Sequence, residues 1–335
     1  MYLSPEQSRQ LLEQAAREHF AVLAVNADSP AAIVDCLEAA KAVDAPVIIE
    51  SSLWQLSSHS FGNGDALLGI ERFAAIVELY ANSGPYIDVP VLYHTDHIKG
   101  PQTVDILSKG ICAVNAQGLT ASTISLDSSE LSADENIALI NELCSIAKNN
   151  NASLTLEMEA GVDDGLTSLD EARYLLEAVE ENNPGYLALW APGVGTRHGF
   201  SAEGFPEFST EHISRQQALA AEITGRDIGL ALHGSSGLSD EQLSDAVDAG
   251  VTKVNWSTDS LAARSAAALS YYDMNREKLQ RTHTDFKNTA MDNGLQTAVS
   301  ESYIDRVKNR MLVLKGNGKG QAFCNTHGTN ADCLN

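Results

Sequence analysis

The sequence has few cysteines, and their spacing excludes two common uses of that residue. They are odd in number, five, and no two of them form a CxxC pair. This pattern argues against both a disulfide framework and a thiolate zinc cluster. We therefore expect reduced thiols, some of them buried, at Cys36, Cys112, Cys144, Cys324 and Cys333.

Positive charge is also scarce. The chain has 22 Lys and Arg residues against 45 Asp and Glu residues, which gives a formal net charge of −23 at pH 7. Because the phosphate backbone of DNA or RNA repels such a surface at long range, we expect no nucleic-acid partner. A small phosphate ligand is not excluded, since local backbone amides can hold one.

Long apolar runs are missing as well. No uninterrupted apolar stretch approaches the length of about 18 residues that suggests a membrane span. The first 20 residues, MYLSPEQSRQLLEQAAREHF, carry acidic and polar side chains throughout and lack the apolar centre of a secretion signal. We expect a cytoplasmic protein with no membrane partner.

The sequence does contain a regular alternation of short aliphatic runs and longer amphipathic segments. Eight runs have the length and β-branched composition of strands. They cover residues 20–27, 46–52, 89–97, 122–127, 154–161, 186–193, 228–234 and 251–257.

Helix signals separate these runs. Ser132 with Glu135, Ser168 with Glu171 and Ser239 with Gln242 fit the capping box, in which two side chains satisfy amides at a helix start. Eight strand and helix units in succession predict a (β/α)₈ TIM barrel, with a doubly wound open sheet as the alternative. We expect a single barrel domain over residues 1–335, with 260–315 as appended C-terminal helices and 316–335 as a polar, loop-like tail.

Potential metal ligands gather at the ends of the predicted strands, where barrel enzymes place their chemistry. Taken singly, a histidine or carboxylate there is commonly hydrogen-bonded structure or a helix cap. Carboxylates crowded on one rim would repel each other, however, unless a cation compensates them. The residues at successive strand ends are Asp96, His97, Asp127, Glu157, Glu159, His198, His233 and Asn255.

Three of these residues are histidines, the donors that zinc favours. His97, His198 and His233 could bind Zn²⁺ and leave a fourth position open for substrate. The acidic groups would then orient the ligands or bind a second divalent or a monovalent cation. They are Asp127, Glu157 and Glu159.

Two turns rich in small residues follow the last two predicted strands. HGSSG at 233–237 and NWSTDS at 255–260 each precede a predicted helix. Backbone amides at a helix start can face a phosphate, and the loops after strands seven and eight often do so in barrels. These turns therefore predict a phosphate site.

Together these pieces resemble the class II, metal-dependent fructose-bisphosphate and tagatose-bisphosphate aldolases. The likeness runs in order over nearly the whole predicted barrel. Its most specific pieces are HTDH at 94–97, SLDSSELSADENI at 125–137, LTLEMEAG at 154–161, RHG at 197–199, HGSSG at 233–237 and KVNWSTD at 253–259.

The resemblance implies a role for each matching residue. His97, His198 and His233 match the zinc ligands, and Asp96 matches the acid/base that exchanges a proton with the substrate's C4 hydroxyl. Asp127 and Glu159 match acidic residues around a second metal position. Gly199, Gly234, Ser236, Asn255 and Thr258 match positions that hold the phosphate and the ketone half, and Ser52 and Arg306 match contacts to the far end of the substrate.

The implied reaction is the reversible cleavage of a ketose phosphate into dihydroxyacetone phosphate and an aldehyde, by a homodimer or a higher homo-oligomer. The chain departs from the family pattern in two places. The loop AGVDDG at 160–165 is short, so Asp163 or Asp164 would supply the loop's acid/base, and Leu53 and Trp54 stand where relatives tend to have small residues.

Two other metal-dependent functions share this chemistry. An epimerase would form the same enediolate without releasing the aldehyde, and a hydrolase on the same barrel would attack an ester or amide with metal-activated water. The first-strand HxH typical of such hydrolases is missing from this sequence.

Overall fold

The computed structural model of the protein describes residues 1–113, 118–128, 130–161, 163, 165–200, 204–205 and 207–327. Eight parallel strands form a closed barrel in chain order, with the first strand paired to both the second and the eighth. They are β1 (Val22–Asn26), β2 (Val47–Ser51), β3 (Val91–Ile98), β4 (Thr123–Leu126), β5 (Leu156–Ala160), β6 (Leu187–Pro192), β7 (Gly229–Leu232) and β8 (Val251–Trp256).

Helices alternate with the strands and surround the barrel, and further helices follow β8. Up to the last strand they are α1 (Pro5–Glu18), α2 (Pro30–Val43), α3 (Leu53–Ser57), α4 (Ala66–Ala81), α5 (Thr103–Cys112), α6 (Ala133–Asn149), α7 (Leu169–Asn182), α8 (Thr210–Thr224) and α9 (Asp240–Asp248). After it come α10 (Thr258–Met274), α11 (Phe286–Ala290), α12 (Asp292–Val313) and α13 (Gly320–His327).

This architecture is the TIM barrel, and it confirms the fold predicted from the sequence. Seven of the observed strands fall within their predicted runs, and β3 extends one residue beyond its run. All strand ends differ from the predicted ends by no more than two residues. The capping boxes at Ser132 and Ser239 form with Glu135 and Gln242, while Ser168 caps α7 through the Glu171 amide.

The interior of the barrel changes character along its length. At the end where the strands begin, Ala24, Ile48 and Leu92 are neighbours in register and fully buried. Leu11 and Ala15 of α1 join the same apolar cluster and close that end of the barrel. One pleat further on, the corresponding neighbours are Asn26, Glu50 and His94. The register therefore places a polar layer directly above the apolar floor.

The helices after β8 pack against the outside of the barrel. Tyr303, Val307 and Met311 of α12 are buried, and the Tyr303 ring stacks on Trp256 of β8 with centroids 5.9 Å apart. This contact joins the C-terminal helices to the barrel wall.

The expectation of a loop-like tail is wrong for its described part, because residues 320–327 form α13. Asp44, far away in sequence, accepts from the Gly320 amide at 2.9 Å through its carbonyl and from the Gln321 amide at 2.7 Å through its carboxylate. Phe323 is buried in the cluster that contains Leu3. Asp44 and the cluster around Leu3 are distant in sequence from α13, so the sequence of the tail alone does not show that a helix forms there.

The described cysteines agree with the prediction of reduced thiols, since Cys36, Cys112, Cys144 and Cys324 are free. Cys333 lies outside the described residues. Within the described ranges we find no helix whose length and apolar character would let it cross a bilayer.

Candidate active site

The backbone of β3 turns its last histidine onto the rim of the barrel. In a regular strand, neighbouring side chains face opposite sides, so His97 would face away from Asp96. The pairing of β3 with β4 instead shifts register between Thr95 and Ile98, and His97 adopts a left-handed conformation with φ of 51°. Such a bulge can redirect a side chain at a barrel rim. Asp96 and His97 therefore both line the cavity at this rim.

The three predicted histidine ligands converge. One nitrogen from each of His97, His198 and His233 lies within 4.8 Å of the other two. The closest pair is His97 Nε2 and His233 Nδ1, at 2.7 Å, and the ring centroids of His97 and His198 are 4.7 Å apart. The end of β3 and the segments after β6 and β7 thus present their imidazoles to one point.

The imidazoles of His233 and His198 are hydrogen-bonded to carboxylates that fix their orientation. Nε2 of His233 donates to Glu157 at 2.8 Å, which leaves the lone pair on Nδ1. Nδ1 of His198 donates to Asp163 at 2.8 Å, which leaves the lone pair on Nε2. Metal-binding histidines commonly have such a carboxylate behind them, because it sets the tautomer and raises ligand basicity.

The third imidazole has an acidic partner as well. Nδ1 of His97 makes an ion-pair contact of 3.0 Å with Glu159 Oε2. The other oxygen of Glu159 accepts from the Ser125 hydroxyl, whereas Oε2 is buried and accepts no hydrogen bond from the described residues. Asp96, His97, Glu159 and His233 also form a group with ligand atoms within 4.8 Å. Imidazole nitrogens that face each other beside buried carboxylates fit a divalent cation.

Asp96 is held between two asparagines. Asn26 Nδ2 donates to one of its carboxylate oxygens and Asn255 Nδ2 to the other, each at 2.9 Å. Burial alone would raise the pKa of Asp96, but the nearby charges of His97 and Lys253 outweigh burial and hold the pKa well below its usual range. Asp96 is therefore a fixed carboxylate beside His97 and His233.

Beneath the rim lies a buried ionic network that the sequence reasoning missed. Lys253 Nζ lies 2.9 Å from Glu157 and 3.4 Å from Glu50, and it donates to Asn255 Oδ1 at 2.7 Å. The three charged side chains are fully inaccessible to solvent. Lys253 thus holds both Glu157, which orients His233, and Asn255, which orients Asp96.

His94 belongs to this network rather than to the metal ligands. Its Nδ1 lies 2.7 Å from Thr123 Oγ1, and its Nε2 lies 3.7 Å from Glu157. Burial, with the charge of Lys253, lowers the pKa of His94 to about 3, so the ring is neutral. The sequence contained a signal for this network, because side chains two positions apart in a strand face the same side. His94 precedes Asp96 by two positions, and Lys253 precedes Asn255 by two positions.

A cavity of about 320 Å³ opens above the histidines. All five residues expected to hold the phosphate and the ketone half line it: Gly199, Gly234, Ser236, Asn255 and Thr258. Thr258 is the first residue of α10, so amides at that helix start adjoin the cavity. Gly234 has a φ of 66°, and a Cβ there would lie 2.6 Å from the Arg197 carbonyl oxygen. The turn after β7 therefore requires glycine.

Three further predicted site residues remain, and two of them line the cavity. Ser52 lines the cavity, whereas Arg306 does not and instead pairs with Asp259 at 3.1 Å. Asp127 also lines the cavity and lies 3.2 Å from Lys99.

Of the two candidate loop acids, the structure describes one. Asp163 accepts from both the backbone amide and Nδ1 of His198, and the hydrogen bond to that side chain is the main cause that lowers the pKa of Asp163 to about 2. Asp164 lies outside the described residues. The contacts of Asp163 are those of a residue that positions His198.

Comparisons with known proteins identify the family of the chain. The family model described as fructose-bisphosphate aldolase class II matches residues 6–319. The chain is 29% identical over 262 residues to a fructose-bisphosphate aldolase of Streptococcus pyogenes serotype M1, covering 77% of this chain and 80% of that one. It is 27% identical over 321 residues to a 6-phospho-5-dehydro-2-deoxy-D-gluconate aldolase of Halalkalibacterium halodurans, covering 93% and 97%.

A solved structure extends the likeness to three dimensions. The crystal structure of a fructose-bisphosphate aldolase from Campylobacter jejuni superimposes with a TM-score of 0.80 at 25% identity and covers 95% of this chain and 97% of that one. The family resemblance read from the sequence is thereby confirmed. The chain belongs to the class II fructose-bisphosphate aldolase family, whose members are generally metal-dependent, and it is an aldolase, a lyase that cleaves a carbon–carbon bond by the retro-aldol reaction.

Proposed function

We propose that this aldolase uses zinc and cleaves a ketose phosphate into dihydroxyacetone phosphate and an aldehyde. The observation that carries the proposal is the convergence of His97, His198 and His233 beside the fixed carboxylate of Asp96. Three nitrogen donors with one open position match the preference of catalytic Zn²⁺.

His97 Nε2, His198 Nε2 and His233 Nδ1 would hold the metal. When bound, zinc supplies a Lewis acid that polarises the ketone and stabilises the negative charge left on it by cleavage. The protein's own contribution is orientation, since Asp163 and Glu157 fix two of the rings by hydrogen bonds of 2.8 Å.

Asp96 would accept the proton of the C4 hydroxyl, which lets the bond between C3 and C4 break. A general base must be deprotonated and within hydrogen-bond reach of its proton. The charge of Lys253 favours the ionised form of the Asp96 carboxylate, and Asn26 and Asn255 fix its direction.

The substrate phosphate would sit on the turns after β6, β7 and β8. Gly199, Gly234, Ser236 and Thr258 line that part of the cavity, and Ser236 Oγ already accepts from the Asp259 amide at 3.1 Å. Binding of the phosphate there would bring the ketone to the histidines and hold it in the orientation that the reaction needs. Asp127 and Glu159 would stabilise cations at this rim, and Asp163 would position His198.

The test is zinc analysis combined with a panel of ketose phosphates, with dihydroxyacetone phosphate and aldehyde measured separately. Release of both products from the zinc-loaded enzyme, and loss of both after chelation, is the expected result. An isomerised sugar without free aldehyde would indicate an epimerase, and hydrolysis of an ester or amide would indicate a hydrolase.

We also propose that the enzyme is a homodimer or a higher homo-oligomer, as the family resemblance implies. Leu269 and Met274 of α10 support this, since their side chains are 63% and 75% exposed, an apolar surface that a second copy could cover. Analytical ultracentrifugation measures the state directly, and a monomer at micromolar concentration would contradict the proposal.

A further inference from the structure

We infer that the aldehyde half of the substrate carries no phosphate and presents an apolar face to Trp54. The substrate would then be a ketose with a single phosphate, on its ketone half. This inference rests on the proposed aldolase function and narrows its substrate class.

The cavity offers its phosphate-binding groups on one side. Small residues and helix-start amides come from the turns after β6, β7 and β8, at Gly199, Gly234, Ser236 and Thr258. The turn after β2 contributes Ser52, Leu53 and Trp54 instead. In the closed barrel, β2 lies two strands from β8 and four from β6. The substrate half that does not carry the anchored phosphate therefore faces the start of α3.

The described lining of the cavity holds a single positively charged side chain. Lys99 is the one Lys or Arg among the described residues that line the cavity, and it pairs with Asp127 at 3.2 Å and with Glu130 at 3.4 Å. Every Lys and Arg in the sequence falls within the described ranges. Phosphate recognition by side chains usually relies on Arg or Lys, and a cation already paired with two carboxylates adds no net attraction for a dianion.

Two residues expected at the far end of the substrate are engaged elsewhere. Ser52 Oγ donates to Gln55 Oε1 at 2.7 Å and accepts from the Trp54 amide at 3.2 Å, as part of the cap of α3. Arg306 is bound to both oxygens of Asp259, at 3.1 and 3.2 Å. The Ser52 hydroxyl hydrogen is therefore used within the cap, and Arg306 does not line the cavity.

Trp54 supplies the opposite chemistry. Its side chain is 87% exposed although it lines the cavity, so a large apolar ring stands at the mouth. The capping box between Ser52 and Gln55 fixes the helix turn that carries the indole. Covering such a ring with an apolar substrate group is favourable, whereas placing a phosphate dianion against it is not.

The test compares three substrates with the zinc-loaded enzyme: fructose 1,6-bisphosphate, fructose 1-phosphate and a 6-deoxyhexulose 1-phosphate, whose last carbon is a methyl group. We expect kcat/KM to be at least about tenfold higher for both monophosphates than for the bisphosphate, a factor that corresponds to about 1.4 kcal/mol. A preference for the bisphosphate would overturn the inference and leave the aldolase function intact. No cleavage of any substrate would overturn both.

Two substitutions of Trp54 assign the preference to this residue. Trp54→Ala should raise KM for the 6-deoxy substrate about tenfold with little change in kcat. Trp54→Arg should shift the ratio of kcat/KM values about tenfold towards the bisphosphate. Leu79→Ala, which removes an exposed apolar side chain of α4 outside the cavity lining, should change neither value. Because Trp54 is exposed, its replacement should not unfold the protein. Equal losses with all three substrates, or no shift with Trp54→Arg, would contradict the inference.

Discussion

The two layers of the barrel interior differ in what they do, although they lie one pleat apart on the same strands. Ala24, Ile48 and Leu92 form the floor, which is apolar and closed by α1. Asn26, Glu50 and His94 begin the layer above, which is polar, charged and topped by the histidines. The floor stabilises the closed sheet by burying apolar surface, and the upper layer orients groups whose burial is unfavourable in itself.

The polar layer buries charged groups at a cost in folding free energy, and the apolar floor does not. Burial raises the pKa of Glu50 well above its ordinary value, and the neighbouring charge of Asp96 adds to that effect. Lys253 is surrounded by Glu157, Glu50 and Asp96, and their charges outweigh burial and raise its pKa. Such a network is weak evidence for stability, since apolar replacements of buried ion pairs are often neutral or better. We interpret it as a support for the rim.

The largest expected effect is on turnover, at the top of the charged layer. Asp96→Asn keeps the size of the side chain but removes the base, so kcat should fall by about 10²- to 10⁴-fold. Zinc content, measured by mass spectrometry, should stay the same because Asp96 is not among the three histidine ligands. An unchanged rate would remove the assigned role.

Within the same layer, Lys253→Met should strongly destabilise the protein. It leaves Glu157 and Glu50 buried without their cation, and we expect the free energy of unfolding to fall by about 3 to 5 kcal/mol. Denaturant titration measures this change. The double variant Lys253→Met with Glu50→Gln should recover part of the loss, and no recovery would show that Glu50 is not paired with Lys253.

In the floor, Leu92→Ala should also destabilise the protein, but for a different reason. The substitution removes a fully buried side chain and leaves a cavity, which costs about 2 to 5 kcal/mol. Under conditions where the variant is folded, its kcat and zinc content should match those of the parent enzyme. A fall in kcat well beyond the unfolded fraction would show that the two layers are not separable.

The smallest expected effect concerns the orientation of one ligand. Asp163→Asn weakens the carboxylate hydrogen bond to His198 Nδ1, and loss of such a partner typically lowers metal affinity by about 10- to 100-fold. Competition with a zinc chelator gives the affinity. Glu181→Gln, an exposed acidic residue of α7, changes net charge by the same amount and should leave zinc affinity unaltered.

The barrel fold and the convergence of the histidines could be predicted from the sequence, because the carboxyl ends of all strands of a parallel barrel meet at one face. Asp96 and His97 lie at the end of β3, His233 follows β7 directly and His198 lies in the loop after β6. The closed topology brings the ends of these strands to one rim. The position of the turns after β7 and β8 at the cavity was predictable for the same reason.

Other features depend on long-range contacts. The strands around Glu50 and Lys253 are buried on both faces, so apolar periodicity does not separate the residues that face the interior from those that face the helices. The bulge that redirects His97 has no residue signature, since the left-handed position is occupied by histidine rather than glycine. The cap of α13 by Asp44 joins segments separated by more than 270 residues.

The central claim is that three imidazoles from β3, β6 and β7 bind one zinc ion and leave a position for the ketone. Zinc-edge X-ray absorption on the metal-loaded enzyme, compared with the His198→Ala variant, tests it most directly. The account predicts one ion per chain with three histidine nitrogens at about 2.0 to 2.1 Å, and loss of one of them in the variant. An ion with fewer histidines in the parent enzyme, or an unchanged spectrum in the variant, would contradict it.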